Sequence, residues 1–304
     1  MTTDITNLRL FCEYVIRKHD ALADVSTETL ADEFRKSFLD GVPISPKSLE
    51  AVAMSLGARI TARPTPKGIR GYNDIYNGTM SIYYKNDDCR SGKENTILHE
   101  IRELMEAQFA DLQPGYAPLR TSAVHNEANR FAGAVLLPRE EFKRMAIKTG
   151  LDAKALGDHY SKSYAQMIIR IAEVMQGDMF YYGALYEPCS GGESSPTVTC
   201  WSASSPDDSV CVPTTLFPRR GHVSVVGSIV DYACNSKKPH LVNEVIVSEE
   251  NSDNNLVAIA QPVIYDSRLA KILLVAVLVQ DRDAIEPQIE QLNPITIEKF
   301  EGHL

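Results

Sequence analysis

The segment Leu98-His99-Glu100-Ile101-Arg102-Glu103 constrains this chain more than any other. It is one residue away from the H-E-x-x-H pattern, in which two histidines one helical turn apart hold a metal and the glutamate beside the first activates water. Positions i and i+4 share a helix face, so His99 and Glu103 can reach one ion. Glu100 sits about 100° further round the helix, where its carboxylate can meet a water on that ion without ligating it. Glutamate at position 103 leaves three readings open. They are a peptidase, a peptidase with an unusual metal, and a helix on which Arg102, Glu103 and Glu106 are solvated charges.

Bulk properties narrow the setting. A chain of 304 residues accommodates about two domains. Hydrophobic content of 44% and charged content of 23% are ordinary for a globular protein. No run of 18 apolar residues occurs, so no membrane span is expected. Met1-Thr2-Thr3-Asp4 opens no basic segment or apolar core, so no signal peptide is expected. The six cysteines (Cys12, Cys89, Cys189, Cys200, Cys211, Cys234) form no C-x-x-C pair and read as reduced thiols, which makes the cytoplasm the expected location. A formal net charge of -9 argues against nucleic-acid binding through overall charge.

Periodicity predicts helices over Leu8–Lys18, Thr27–Phe38 and, behind the Ser45-Pro46 start signal, to about Leu56. Short strands follow at Arg59–Ala62, Gly68–Tyr72, Asp74–Tyr76 and Thr79–Tyr84, with a hairpin turn at Asn77-Gly78. The motif helix is expected over Glu94–Ala107, a loop over Gln113–Pro118, and helices over Ala123–Leu136 and Arg139–Thr149. Ala153–His159 and Ser163–Met175 read as a helix–turn–helix-like pair around Tyr160-Ser161-Lys162. After Met175 the texture becomes strand-rich. Runs at Met179–Tyr186, Thr197–Ser202, Val223–Val226, Leu241–Val247, Leu256–Gln261 and Lys271–Val279 are joined by a Gly/Ser/Pro loop at Ser190–Pro196 and a helical segment before Asn235.

A metalloprotease needs a third protein ligand, usually from a following helix. Glu127 is the candidate, twenty-four residues after Glu103. Ala128, Phe131, Ala132 and Val135 give its helix an apolar face with small residues that permit close approach. His125 lies two residues before Glu127, so on one helix the two point apart. It reaches the ion only if the helix begins later, and otherwise reads as a polar residue at the cleft edge. Tyr72, Tyr83 and Tyr84 either line a substrate groove or pack as strand aromatics.

The run Glu127-Ala128-Asn129-Arg130-Phe131-Ala132-Gly133-Ala134-Val135-Leu136-Leu137-Pro138 resembles the second motif of the ImmA/IrrE metallopeptidases, roughly E-A-N-x-F-A-x-x-L-L-x-P, with Val135 in place of its first leucine. Thr96–Ile101 resembles that family's first motif, and Leu156, Tyr160, Ser163 and Arg170 are similar to its helix–turn–helix positions. Val225–Val230, Lys238–Val242 and Leu256–Val279 resemble a GAF domain of the IrrE-like subgroup. The resemblance implies an α+β fold. A mostly helical, zincin-like peptidase domain with a small antiparallel sheet (1–138) precedes a helix–turn–helix segment (139–177) and an α/β GAF-like sensor domain (178–304).

The resemblance also implies His99 and Glu127 as metal ligands and Glu100 as general base. In the family the first motif supplies two histidines and the second a glutamate, so Glu103 stands at the departing position. Glutamate ligates zinc at about the same distance as histidine. Two carboxylates and one imidazole, however, leave a local charge of about zero, against about +1 for two imidazoles and one carboxylate. That would make water on the ion less acidic and favour manganese or iron(II) beside zinc.

The implied activity is that of a gluzincin-like regulatory endopeptidase. It would cleave a helix–turn–helix transcriptional repressor in a stress or DNA-damage response, with the substrate laid against Thr79–Tyr84 by strand addition. A non-catalytic regulator that binds protein or DNA and senses a ligand is the alternative. There Glu103 would pair with Arg102 or Arg130. Between Arg139 and Arg170 seven basic residues stand against four acidic, enough for weak DNA contact or for nothing more than bracing the peptidase. A homodimer is compatible with either reading.

Overall fold

Side-chain caps written into the sequence set the first helix starts. Ser26 accepts from the Thr29 amide to open α2 (Thr27–Phe38). Ser45 and Ser48 form a reciprocal capping box, with Pro46 at the first turn of α3 (Pro46–Ser55). The computed structural model describes residues 7–19, 25–113, 121–188, 196–206, 224, 227–246 and 255–301. It divides into two units, Met1–Arg139 and Glu140–Leu304. Among the described residues the fold is α+β, with ten α-helices and two sheets.

The first unit is built around α4 (Arg90–Leu112), 23 residues long and extended at both ends beyond its sequence-read span. Helices α1 (Asn7–His19), α3 and α5 (Thr121–Leu136) pack on α4, and so do strands β2 (Gly71–Tyr76) and β3 (Thr79–Lys85). The sheet order is β1-β3-β2, with β1 spanning Ala58–Arg63. Asn77 and Gly78 both take positive φ, 48° and 76°, as a two-residue hairpin turn requires.

That turn puts β3 in the middle of the sheet, which corrects two expectations. The sheet is mixed, not antiparallel, because β1 lies beside β3 and runs parallel to it. β3 also has both edges paired, so no substrate strand can add to Thr79–Tyr84. The edge beside α4 belongs to β2.

The second unit contains α6 (Arg139–Lys148), α7 (Ala153–Tyr160), α8 (Tyr164–Met175) and a six-stranded sheet of order β5-β4-β8-β7-β6-β9. Its strands are β4 (Tyr181–Glu187), β5 (Thr197–Ser204), β6 (His240–Ile246), β7 (Leu256–Tyr265), β8 (Arg268–Leu278) and β9 (Ile295–Glu301). Neighbours are antiparallel except β6 and β9. Helix α9 (Ile229–Ser236) covers one face, over a core that includes Tyr182, Val242, Ala258 and Leu274. Helix α8 packs on β4 and β5.

Beyond Val279 no strand or helix pattern stands out in the sequence. Helix α10 (Glu286–Leu292) and β9 therefore emerge only in the structure. Apart from Gln113, Pro196 and Ser224, the expected loops at Gln113–Pro118 and Ser190–Pro196 and the strand at Val223–Val226 lie outside the described residues. No helix among the described residues is long and apolar enough to cross a membrane.

Helix α5 is seated against α2 by Phe131, fully buried, whose ring meets Phe34 edge-on at 5.4 Å between centroids. Arg35 adds a hydrogen bond to the Val135 carbonyl. Replacing Phe131 by alanine should therefore cost about 3–5 kcal/mol of stability. The loss would be read from the urea midpoint of the first-unit transition, and a loss below about 1 kcal/mol would show that α5 is held elsewhere.

Candidate metal centre

Helix α4 presents His99 and Glu103 on one face, and α5 brings His125 to them. His99 Nε2 lies 3.1 Å from Glu103 Oε1 and 3.1 Å from His125 Nδ1. His125 Nδ1 is 2.5 Å from the same Glu103 oxygen. One ligating atom from each residue falls within 4.8 Å of the others. Donors about 2.0–2.2 Å from a common ion stand roughly 3–4 Å apart, so a small outward relaxation of this triangle accepts a divalent metal. The donor set, two imidazoles and one carboxylate, suits zinc. His125 is exposed, which leaves one side of the triangle open to water or substrate.

Two asparagines orient these donors. Asn129, one helical turn after His125, accepts from His99 Nδ1 at 3.0 Å. Once Nε2 gives up its own proton, the proton held on Nδ1 leaves the Nε2 lone pair toward the other two donors. Asn73 in β2 donates to Glu100 Oε2 at 2.7 Å and to Glu103 Oε2 at 2.8 Å. β2 comes this close because Gly71 has no side chain. A Cβ there would stand 2.3 Å from Thr96 Cγ2 and 2.7 Å from the Tyr83 carbonyl oxygen.

Glu100 is buried, and burial, aided by the neighbouring Glu103 charge, raises its pKa against the opposing Asn73 hydrogen bond. The His99 hydrogen bond pulls the Glu103 carboxyl down to about 2, with burial opposing and His125 assisting. Burial works against charging His99. The Glu103 hydrogen bond and the two carboxylates outweigh it, and its pKa is raised. His99, Glu100, His125 and Asn129 line a cleft of about 440 Å³, closed on its other side by Gly68–Tyr72.

Sequence reasoning placed His99, Glu100 and Glu103 at one site, and the structure brings them together. It does not bring Glu127 to them. Arg130 donates to Glu127 Oε1 at 3.0 Å, and the Thr27 hydroxyl donates to its other oxygen. The opposition of His125 and Glu127 read from their spacing holds, but the residue turned toward α4 is His125. Glu103 pairs with neither arginine proposed for it. Arg102 is bonded to Glu106 and Arg130 to Glu127. Tyr72 lines the cleft and stacks on Tyr83 under the Arg63 guanidinium, whereas Tyr84 is buried and bonded to Glu50. Asn129 could have been found as the polar residue of the E-A-N run. Asn73 carried no signal.

A peptidase-family model described as the IrrE N-terminal-like domain matches residues 53–172. The resemblance read from the two motifs therefore holds over that stretch. A solved structure titled "Mycobacterium tuberculosis transcriptional regulator" superposes with a TM-score of 0.55 at 11% identity, covering 92% of this chain and 84% of that one. At that identity the likeness is one of fold. No curated protein matches the chain.

Two outcomes test this geometry. In the metal-free protein, Glu103 at about 2 lies below its ordinary 4.5, so its contribution is present above 4.5 and lost as pH falls toward 2. His99 lies above its ordinary 6.5, so its contribution is complete below 6.5 and lost as pH rises through the folded value. The stability difference between wild type and His99→Gln should thus be largest between 4.5 and 6.5 and shrink on both sides. Denaturant midpoints across that range would show it, and a difference that grows above about pH 8 would contradict it. Separately, Gly71→Ala must push β2 from α4, and should cost about 1–3 kcal/mol and disturb Glu100. An unchanged melting temperature would mean that the strand is free to move.

Proposed function

Proceeding from the IrrE N-terminal-like domain at residues 53–172, we propose that the chain is a regulatory metal-dependent endopeptidase, with His99, Glu103 and His125 as ligands and Glu100 as general base. The observation that carries this is the convergence of those three donors beside a buried carboxylate in an open cleft.

The family's usual donors are two histidines on the first helix and a glutamate on the second. Here the carboxylate stands on the first helix and the second imidazole on the second, so the composition is unchanged. The local charge with a divalent ion stays at about +1, and the argument for manganese or iron(II) weakens in favour of zinc. When bound, the ion supplies a Lewis acid that makes water more acidic and polarises a carbonyl. Asn129 keeps the proton of His99 on Nδ1, leaving Nε2 for ligation. Glu100, its pKa raised, is suited to take a proton from water near neutral pH and pass it to the leaving amine.

An extended protein segment would reach this cleft by pairing with the β2 edge. We read the substrate as a helix–turn–helix transcriptional repressor, cleaved in the cytoplasm under stress or DNA damage, with the GAF-like region 178–304 as signal receiver. The fold likeness to a protein titled as a transcriptional regulator supports the regulatory part. For the helix–turn–helix-like pair we favour bracing over DNA reading. Helix α8 buries Tyr164, Met167, Ile168, Arg170, Ile171, Ala172, Val174 and Met175 and lies on β4 and β5. The non-catalytic alternative loses its main support, because Glu103 has histidine and asparagine partners instead of an arginine.

Metal analysis and cleavage assays on variants decide. The wild type should carry zinc, and His99→Ala should lose it. Glu127→Gln should keep it. His125→Glu should favour manganese over zinc, and adding Glu103→His should restore zinc by restoring two imidazoles and one carboxylate. Glu100→Gln should retain metal but lose about 10²–10⁴-fold in repressor cleavage. Zinc bound equally by His125→Ala and lost in Glu127→Gln would transfer the third ligand to Glu127.

A further inference from the structure

Glu103 has two oxygens with different tasks. Oε1 faces His99 and His125, and Oε2 is held from behind by the Asn73 amide. The same amide nitrogen holds Glu100 Oε2. An amide NH₂ carries two hydrogens, one for each carboxylate, and adds no charge of its own. Two carboxylates three residues apart on α4 repel, and free rotation would let Glu103 turn its second oxygen toward the metal position. Both tendencies are opposed by one residue of the neighbouring strand.

Asn73 is fixed to do this. It pairs with Ile82 in the β2–β3 register. Gly71, two residues earlier and so on the same face, sets the closeness of strand and helix. We infer that Asn73 is a positioning residue. It aims Glu103 Oε1 at the two histidines, orients Glu100 in the cleft, and links both to the edge strand proposed to receive substrate. The inference rests on the metal reading above.

The test uses the full chain, with zinc affinity measured by chelator competition and cobalt(II) absorption as a spectroscopic report of ligand geometry. Asn73→Leu keeps the size and removes both donors. Asn73→Ala is the second variant, should leucine not fold. Asp74→Asn, exposed on the opposite face of β2, is the control. In folded Asn73 variants zinc affinity should fall about 10- to 100-fold and the cobalt spectrum should change, with the control unaltered. Folded Asn73 variants with wild-type affinity and spectrum would overturn the inference while leaving the metal site intact. A wild type that takes up neither metal would overturn both.

Discussion

The packing of α5 along α4 is the constraint on which the site depends. Each helix alone carries an incomplete set. α4 has one imidazole and one carboxylate with Glu100, the proposed base, between them, and α5 has one imidazole and an orienting amide. Only close approach makes a triangle of about 3 Å on its longer sides. That approach is secured away from the donors. Ala128, Phe131, Ala132 and Val135 are fully buried on the inner side of α5, and interiors packed to crystal-like density resist the ångström-scale shifts that would separate ligands. The polar atoms of the site are therefore positioned by apolar contacts that take no part in chemistry.

Electrostatics then divides labour between two glutamates on one helix. Glu103 receives hydrogen bonds from two histidines and is held as an anion down to about pH 2. Glu100, one turn-step away, is buried with fewer compensating partners, and its pKa rises. The same residue type thus yields a fixed anion, the ligand of the proposed site, and a group with a raised pKa suited to exchange a proton. Asn73 touches both and sharpens the distinction. It holds Oε2 of each, while Oε1 of Glu103 faces the two histidines.

What the sequence made legible follows from where its signals reside. Helix α4, the hairpin at Asn77-Gly78 and the apolar face of α5 are local patterns, and each emerged nearly in place. The choice between His125 and Glu127 is not local. Spacing on α5 says only that the two diverge, and which one faces α4 depends on how α5 is rotated by Phe131 against Phe34. Motif likeness pointed to Glu127, and packing turned His125, still exposed, toward His99 and Glu103. Asn73 was invisible for a stronger reason. A single polar residue in a half-exposed strand has no period, and its partners lie 27 and 30 residues ahead on another element. In the second unit, strand-like apolar runs marked the buried strands β4 to β8. The late strand β9, with adjacent exposed charges at Glu298 and Lys299, was too polar to be noticed.

On the proposed ligand set, the donor types also indicate why a departure from the usual motif need not remove metal binding. Starting from the common arrangement, two single steps lead to this one. A carboxylate at position 103 arriving while Glu127 still served as the second-helix donor would give one imidazole and two carboxylates, with the local charge near zero and a preference for harder ions. Changing the second helix first gives three imidazoles, a donor set that holds catalytic zinc elsewhere and lowers the pKa of water well. The second route never leaves zinc-competent chemistry. Glu103 read by itself looks like the loss of a ligand. Read with His125, it is one half of a trade that conserves donor number, charge and open face.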